Sequence, residues 1–96
     1  MELHKLVETV SDERSFLAFV DALLKDRELA AAEEKASSSG ADELPQHRWE
    51  NVTIEAFLEA AHAWAKDSDF GARQGLKAAS PWKKFAVFLY CGKMYE

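Results

Sequence analysis

Glycine and proline are scarce in this chain, with four and two residues among 96. So few turn-formers leave little room for the many tight reversals of an all-β fold. Cysteine is scarcer still: Cys91 stands alone, which excludes an intrachain disulfide and suits a reducing compartment. No stretch approaches the ~20 consecutive apolar residues of a membrane-spanning helix. The opening MELHKLVETV lacks the apolar centre of a secretion signal, so a cytoplasmic location and no membrane partner are the expectations.

Bases are also in deficit. Residues 1–66 hold 14 acids against 7 bases, while residues 67–96 hold 3 acids against 5 bases, for a total of −5. Nucleic acid needs clustered Lys and Arg for its phosphates, so this acidic body speaks against that partner. It suits a basic protein, because complementary charge speeds encounter; mild acidity also keeps any small protein soluble.

What remains is a globular composition, 48% hydrophobic and 11% aromatic, enough for one modest core. The apolar residues recur at helical spacing. Leu3, Leu6, Val7 and Val10 share one side of a short first segment, 2–10. A second, 12–35, begins at Ser11 or Asp12, either of which accepts a hydrogen bond from a free amide at a helix start. There Phe16, Phe19, Val20, Leu23 and Leu24 form a broad stripe opposite Asp21, Lys25 and Glu28. After Lys25 the pattern fades, and DRELAAAEEKA reads either as a helical extension into solvent or as a fraying end. SSSGADELPQHR then stops any helix, and 37–48 is expected to be a mobile loop.

The third segment, 53–66, is capped by Thr53, with Val52 placed to staple onto Phe57. Ile54, Phe57, Leu58, Ala61, Trp64 and Ala65 line one side, and Glu55, Glu59, His62 and Lys66 the other. The fourth, 81–95, starts with a Ser80 cap followed by Pro81. Trp82, Phe85, Ala86 and Leu89 form its inner stripe, yet Val87, Phe88, Cys91, Met94 and Tyr95 make the rest of its circumference apolar too. A helix apolar nearly all round is either central or covered by something else. The expectation is an all-α, compact single-domain bundle of about four helices, with a flexible acidic and Ser-rich excursion near 27–47.

Three fragments, SFLAFVDALLKD, WENVTIEAFLEAAHAW and SPWKKFAVFLYCGKMYE, together resemble a family of short uncharacterised bacterial helical domains. That family has the order Phe-Leu-x-Phe, Trp-Glu-Asn-x-Thr, Phe-Leu-Glu, Ser-Trp-Lys-x-Phe-Ala and a terminal Tyr-Glu. The stretch 27–46 is longer here than is usual for it. The resemblance implies a small helical fold and no established activity.

Groups for chemistry are thin. Glu59 and His62 make one Glu-x-x-His, a spacing that di-iron bundles use in two inward-facing copies; here a single copy, with Glu55 one turn back, falls on the polar face. A metal-dependent enzyme is the remote alternative. DSDFG at 67–71 misplaces the Gly and Glu of a calcium loop. Cys91 has no activating motif beside it and reads as packing. Phosphate loops and nucleophile elbows are absent from the sequence, so neither an enzyme nor a cofactor is expected.

The expected role is protein binding without catalysis, in its most concrete form an immunity-type protein that blocks a basic toxin. The alternative is a self-associating module built on the fourth helix. The candidate contact residues are Trp49, Glu50 and Asn51, where Trp favours binding hot spots, and Val87, Phe88, Cys91, Met94 and Tyr95. For Trp49 and Asn51 the competing reading is core closure and turn formation.

Overall fold

In a computed structural model the described residues are 2–37, 49–72 and 75–95. They form four α-helices: α1 (Leu3–Glu8), α2 (Glu13–Ser37), α3 (Ile54–Asp67) and α4 (Pro81–Met94), with a 3-10 turn at Leu76–Ala78 before the last. The fold is all-α, as the spacing of apolar residues implied. The mobile-loop expectation for 37–48 falls almost entirely outside the described residues.

Each long helix starts where a side chain can accept a free amide. Asp12 Oδ1 accepts the Ser15 N–H at 2.9 Å, and Ser15 Oγ in turn accepts the Ser11 N–H at 2.9 Å. This reciprocal pair holds the Asp12 carboxyl below its ordinary value, chiefly through the Ser15 N–H. Thr53 Oγ1 accepts from Ala56 N–H at 3.0 Å, and Ser80 Oγ from Lys83 N–H at 3.2 Å. Pro81 follows Ser80 at the first helical position, where its missing amide costs nothing.

α4 is central. It packs against α1, α2 and α3 alike, which answers how a helix with so little polar surface is covered. Phe19 and Ala86 are fully buried, with Val7, Val10 and Leu23 around them and Val87, Leu89 and Tyr90 packed on the cluster. α1 therefore contributes core residues despite its length, as a short helix must dock to persist. On the other side, Gly92 lets α4 approach α3: a Cβ there would lie 2.7 Å from the Phe57 ring.

α3 ends in a turn that its own residues force. Asp69 and Phe70 both take positive φ (53° and 51°), followed by Gly71 at 78°. A Cβ on Gly71 would collide with the Leu76 side chain, so only glycine fits the chain reversal. Phe70, carried by this turn and still partly exposed, stacks on Phe88 with centroids 5.6 Å apart and meets Trp64 edge-on at 5.5 Å.

Three features differ from the sequence reading. α2 runs through residue 37, close to the expected 12–35, but its later turns are not purely surface, because Ala30 is buried. Leu24, Ile54 and Leu58, assigned to inner stripes, are 57%, 78% and 54% exposed, and Trp82 and Phe85 on α4 are also largely in water. Lys93, read as a break in an apolar surface, is instead buried. The cause of the second difference is geometric. At about 100° per residue the apolar arc of α3 spans roughly 160°, wider than one neighbouring helix covers. α4 takes the Phe57, Ala60, Ala61 and Trp64 side and leaves Ile54 and Leu58 out.

Candidate functional site

The segment entering α3 is built around one carboxylate. Asp26 lies seven residues after Phe19 and three after Leu23, so it shares the buried side of α2. Its Oδ2 accepts the Trp49 indole N–H at 2.8 Å and the Lys93 ammonium at 2.7 Å. The two charged side chains are only 12% and 11% exposed. Such a pair balances a desolvation cost against a strong attraction, and leaving one partner alone is far worse than removing both. The Trp49 ring is also held from its faces. Phe57 stacks on it at 6.0 Å, and the Arg27 guanidinium and Lys93 ammonium lie 5.5 and 5.7 Å from its centre, where a ring attracts cations.

Glu50 and Asn51 complete the arrangement by closing the end of α4. A helix leaves its last carbonyls without intrahelical donors. Here the backbone N–H groups of Glu50 and Asn51 donate to Lys93 O at 3.1 and 3.4 Å. Asn51 Nδ2 donates to Gly92 O at 3.0 Å and Tyr95 O at 2.9 Å. Tyr95 donates its hydroxyl to Asp67 Oδ2 at 2.8 Å, and that bond is the main cause raising its pKa.

The eight candidate contact residues thus divide. Trp49, Glu50, Asn51 and Tyr95 take part in these internal bonds, Val87 packs on the core, and Phe88 is stacked under Phe70. Cys91 is free and half-buried, its thiol pushed up to about 11 by burial; a thiol held in that form is a poor nucleophile. Met94 is the most open of the eight, at 41% exposure.

Beside the Trp49 assembly lies an open apolar groove of about 360 Å³. α2 supplies Leu23, Leu24 and Arg27 to it, α3 supplies Ile54 and Phe57, and Leu89 of α4 lies at its base. Trp49, Asn51, Val52 and Thr53 form the connecting wall. Val52 is half-exposed in this wall, on the same opening as Phe57. Arg27, the cation of the lining, makes a two-pronged pair with Glu34 at 3.1 and 3.4 Å.

Sequence reasoning placed Leu24 and Ile54 in the core and passed over Arg27, Asp26 and Lys93. A signal for the ion pair was present: Lys93 falls seven residues after Ala86 and Asp26 seven after Phe19, so opposite charges stand on two inner stripes. The Glu55–Glu59–His62 group stays on the exposed side of α3. A hydrogen bond from its own backbone N–H, with one from the Thr53 hydroxyl, holds the Glu55 carboxyl below its ordinary value. Among the described residues no three His, Cys, Asp or Glu side chains gather as a metal site, and no helix is long and apolar enough to cross a membrane.

No curated protein and no solved structure matches this chain. The matched stretch in the family comparison begins at Asp12, so it spans α2, α3 and α4 and leaves α1 outside. Over residues 12–96 the chain matches the model of a family of unknown function, DUF7660, and it belongs to that family.

Proposed function

We propose that this domain is a protein-binding module without catalytic activity, and that it docks its partner on the α2–α3 groove. One observation carries the reading: Leu24, Val52 and Ile54 are each half-exposed or more in the lining of one groove, and Leu58, one turn after Ile54, is exposed as well. Apolar side chains gathered this way mark contact surfaces on soluble proteins. The polar groups beside them, Asp26, Lys93 and Asn51, are already joined to one another or to the backbone. The immunity-type form of the proposal, an acidic protein in the cytoplasm covering a basic toxin, draws its support from the net charge of −5.

The test is a comparison of two tagged proteins, the wild type and Ile54→Asp/Leu58→Glu, used to capture partners from the source cells. A polypeptide held in stoichiometric amount by the wild type and released by the variant supports the proposal. Equal retention by both removes the groove, and no retained polypeptide at micromolar protein removes the binding function. Self-association is the second reading, favoured by the exposed Leu17, Trp82 and Phe85 at the other end of α4. A mass of one chain by light scattering at every concentration disposes of it.

A further inference from the structure

We infer that the groove receives an amphipathic helix whose flanks are basic, an inference that rests on the protein-binding reading above. The shape argues for a helix. A small ligand is usually enclosed over most of its surface, but a guest confined to this open groove of about 360 Å³ covers only the side of Ile54 that lines it and leaves the rest of that side chain, 78% exposed, in water. It also misses Leu58, one turn further along the same arc. A helix, about 10–12 Å across, reaches both walls and continues over Leu58. Among the described residues there is no strand, hence no sheet edge on which an extended peptide could add. Proline-rich segments dock on open aromatic faces, and those of Trp49 are taken by Phe57, Arg27 and Lys93.

Charge selects the flanks. On α2, Asp21 and Glu28 are both within about 60° of Leu24 on its outer side; on α3, Glu55 is within about 60° of Leu58. These carboxylates and Glu59 are exposed. Among the described residues near this opening, Lys25 holds Asp21 at 2.9 Å and Arg27 holds Glu34, so the excess negative charge rests on Glu28, Glu55 and Glu59. Lys66 stands at the far end of α3, away from the groove. An apolar floor flanked by Glu28 on α2 and by Glu55 and Glu59 on α3 fits a guest with apolar residues at i, i+3, i+4 and i+7 and Lys or Arg on either side. The same rim repels nucleic acid phosphates.

The probes are two fluorescein-labelled helix-forming peptides of about 18 residues. Both carry Leu at i, i+3, i+4 and i+7; one has Lys and Arg elsewhere, the other Glu. Anisotropy is read against the whole protein and against Leu24→Glu, Ile54→Asp and Phe85→Ser. The basic peptide should bind about tenfold or more tighter than its acidic twin, with an advantage that shrinks as salt screens the rim. Leu24→Glu and Ile54→Asp each replace an exposed side chain, and circular dichroism should show both folded. Either should weaken the basic peptide about tenfold, and Phe85→Ser should leave it unchanged. Equal binding of both peptides, or none, overturns the basic-helix occupant. Loss caused equally by Phe85→Ser overturns the groove as its seat. Stoichiometric capture of a cellular protein on the wild type alone would then still uphold the broader binding function, so the two failures are separable.

Discussion

At the C-terminal end of α4, Lys93 is paired with Asp26, and the carbonyls of Gly92, Lys93 and Tyr95 are met by Glu50 and Asn51. At its N-terminal end, Trp82 and Phe85 lean on Phe16 at 5.4 and 5.7 Å and remain 40% and 51% exposed. The charged residue is inside and the aromatic ones outside, the reverse of what side-chain type alone leads one to expect. The lesson is that position on the helix arc outweighs residue type: Lys93 lies within about 20° of Ala86, whereas Phe85 is about 100° away from it. One end is locked by specific bonds and the other rests on ring contacts that tolerate change.

The sharpest way to break this contrast is Asp26→Ala. It leaves a buried ammonium without its carboxylate and the Trp49 indole N–H without its acceptor, for an expected loss of about 3–5 kcal/mol in urea unfolding. Replacing both partners, as in Asp26→Leu with Lys93→Met, should recover most of that loss, since an apolar pair of similar volume has no desolvation cost. If the double variant is as unstable as the single one, the pair is not what locks this end. Gly92→Ala comes next. The added Cβ meets the Phe57 ring, whose other contact is Trp49, and overpacking of this kind costs about 1–3 kcal/mol. An unchanged urea midpoint would mean that α3 and α4 approach less closely than described.

Asn51→Ala removes two hydrogen bonds to the end of α4 but leaves the backbone donors to Lys93 O in place. The expected loss is smaller, about 1–2 kcal/mol, and amide exchange should quicken in the last turn of α4 before it does in the first. Uniform change along the helix would contradict a local cap. At the open end, Phe85→Ser forfeits ring contacts with Phe16 and Phe88. Its expected cost is about 1 kcal/mol or less, measured by the same urea titration. A loss as large as that of Asp26→Ala would erase the distinction between the two ends.

The fold was legible from the sequence because its signals are local. The apolar spacing, the Thr53 and Ser80 caps and the Asp67–Gly71 stop each act within a few residues. The groove was not legible, because its existence depends on which part of a wide stripe a neighbour covers. Periodicity put Ile54 and Phe57 on one side of α3, and only the seat of α4 on the Phe57 flank decides that Ile54 is left in water. Trp49 and Asn51 show a third situation. Their types suggested either recognition or closure; the geometry bonds them to Asp26 and α4 and also sets them in the lining of the groove.

The smallest expected effect sharpens the comparison from inside α4, at Cys91, the residue before Gly92 of the locked end. Burial raises its thiol from 9.0 to about 11, so the folded protein holds this proton more tightly than the unfolded chain. Between those two values the folded state therefore binds more protons, and stability must fall as pH rises through that window. Below pH 9 the contribution is fully present and constant. Cys91→Ser should flatten the part of the alkaline slope that belongs to the thiol, leaving the neutral-pH midpoint nearly in place. An aromatic disulfide reagent at pH 8 should modify wild-type Cys91 slowly, and much faster in Gly92→Ala, where the neighbouring packing on Phe57 is disturbed. Equal rates in the two proteins would show that the cover over Cys91 does not depend on the α3–α4 contact, and the locked region would then begin at Gly92 rather than take in Cys91.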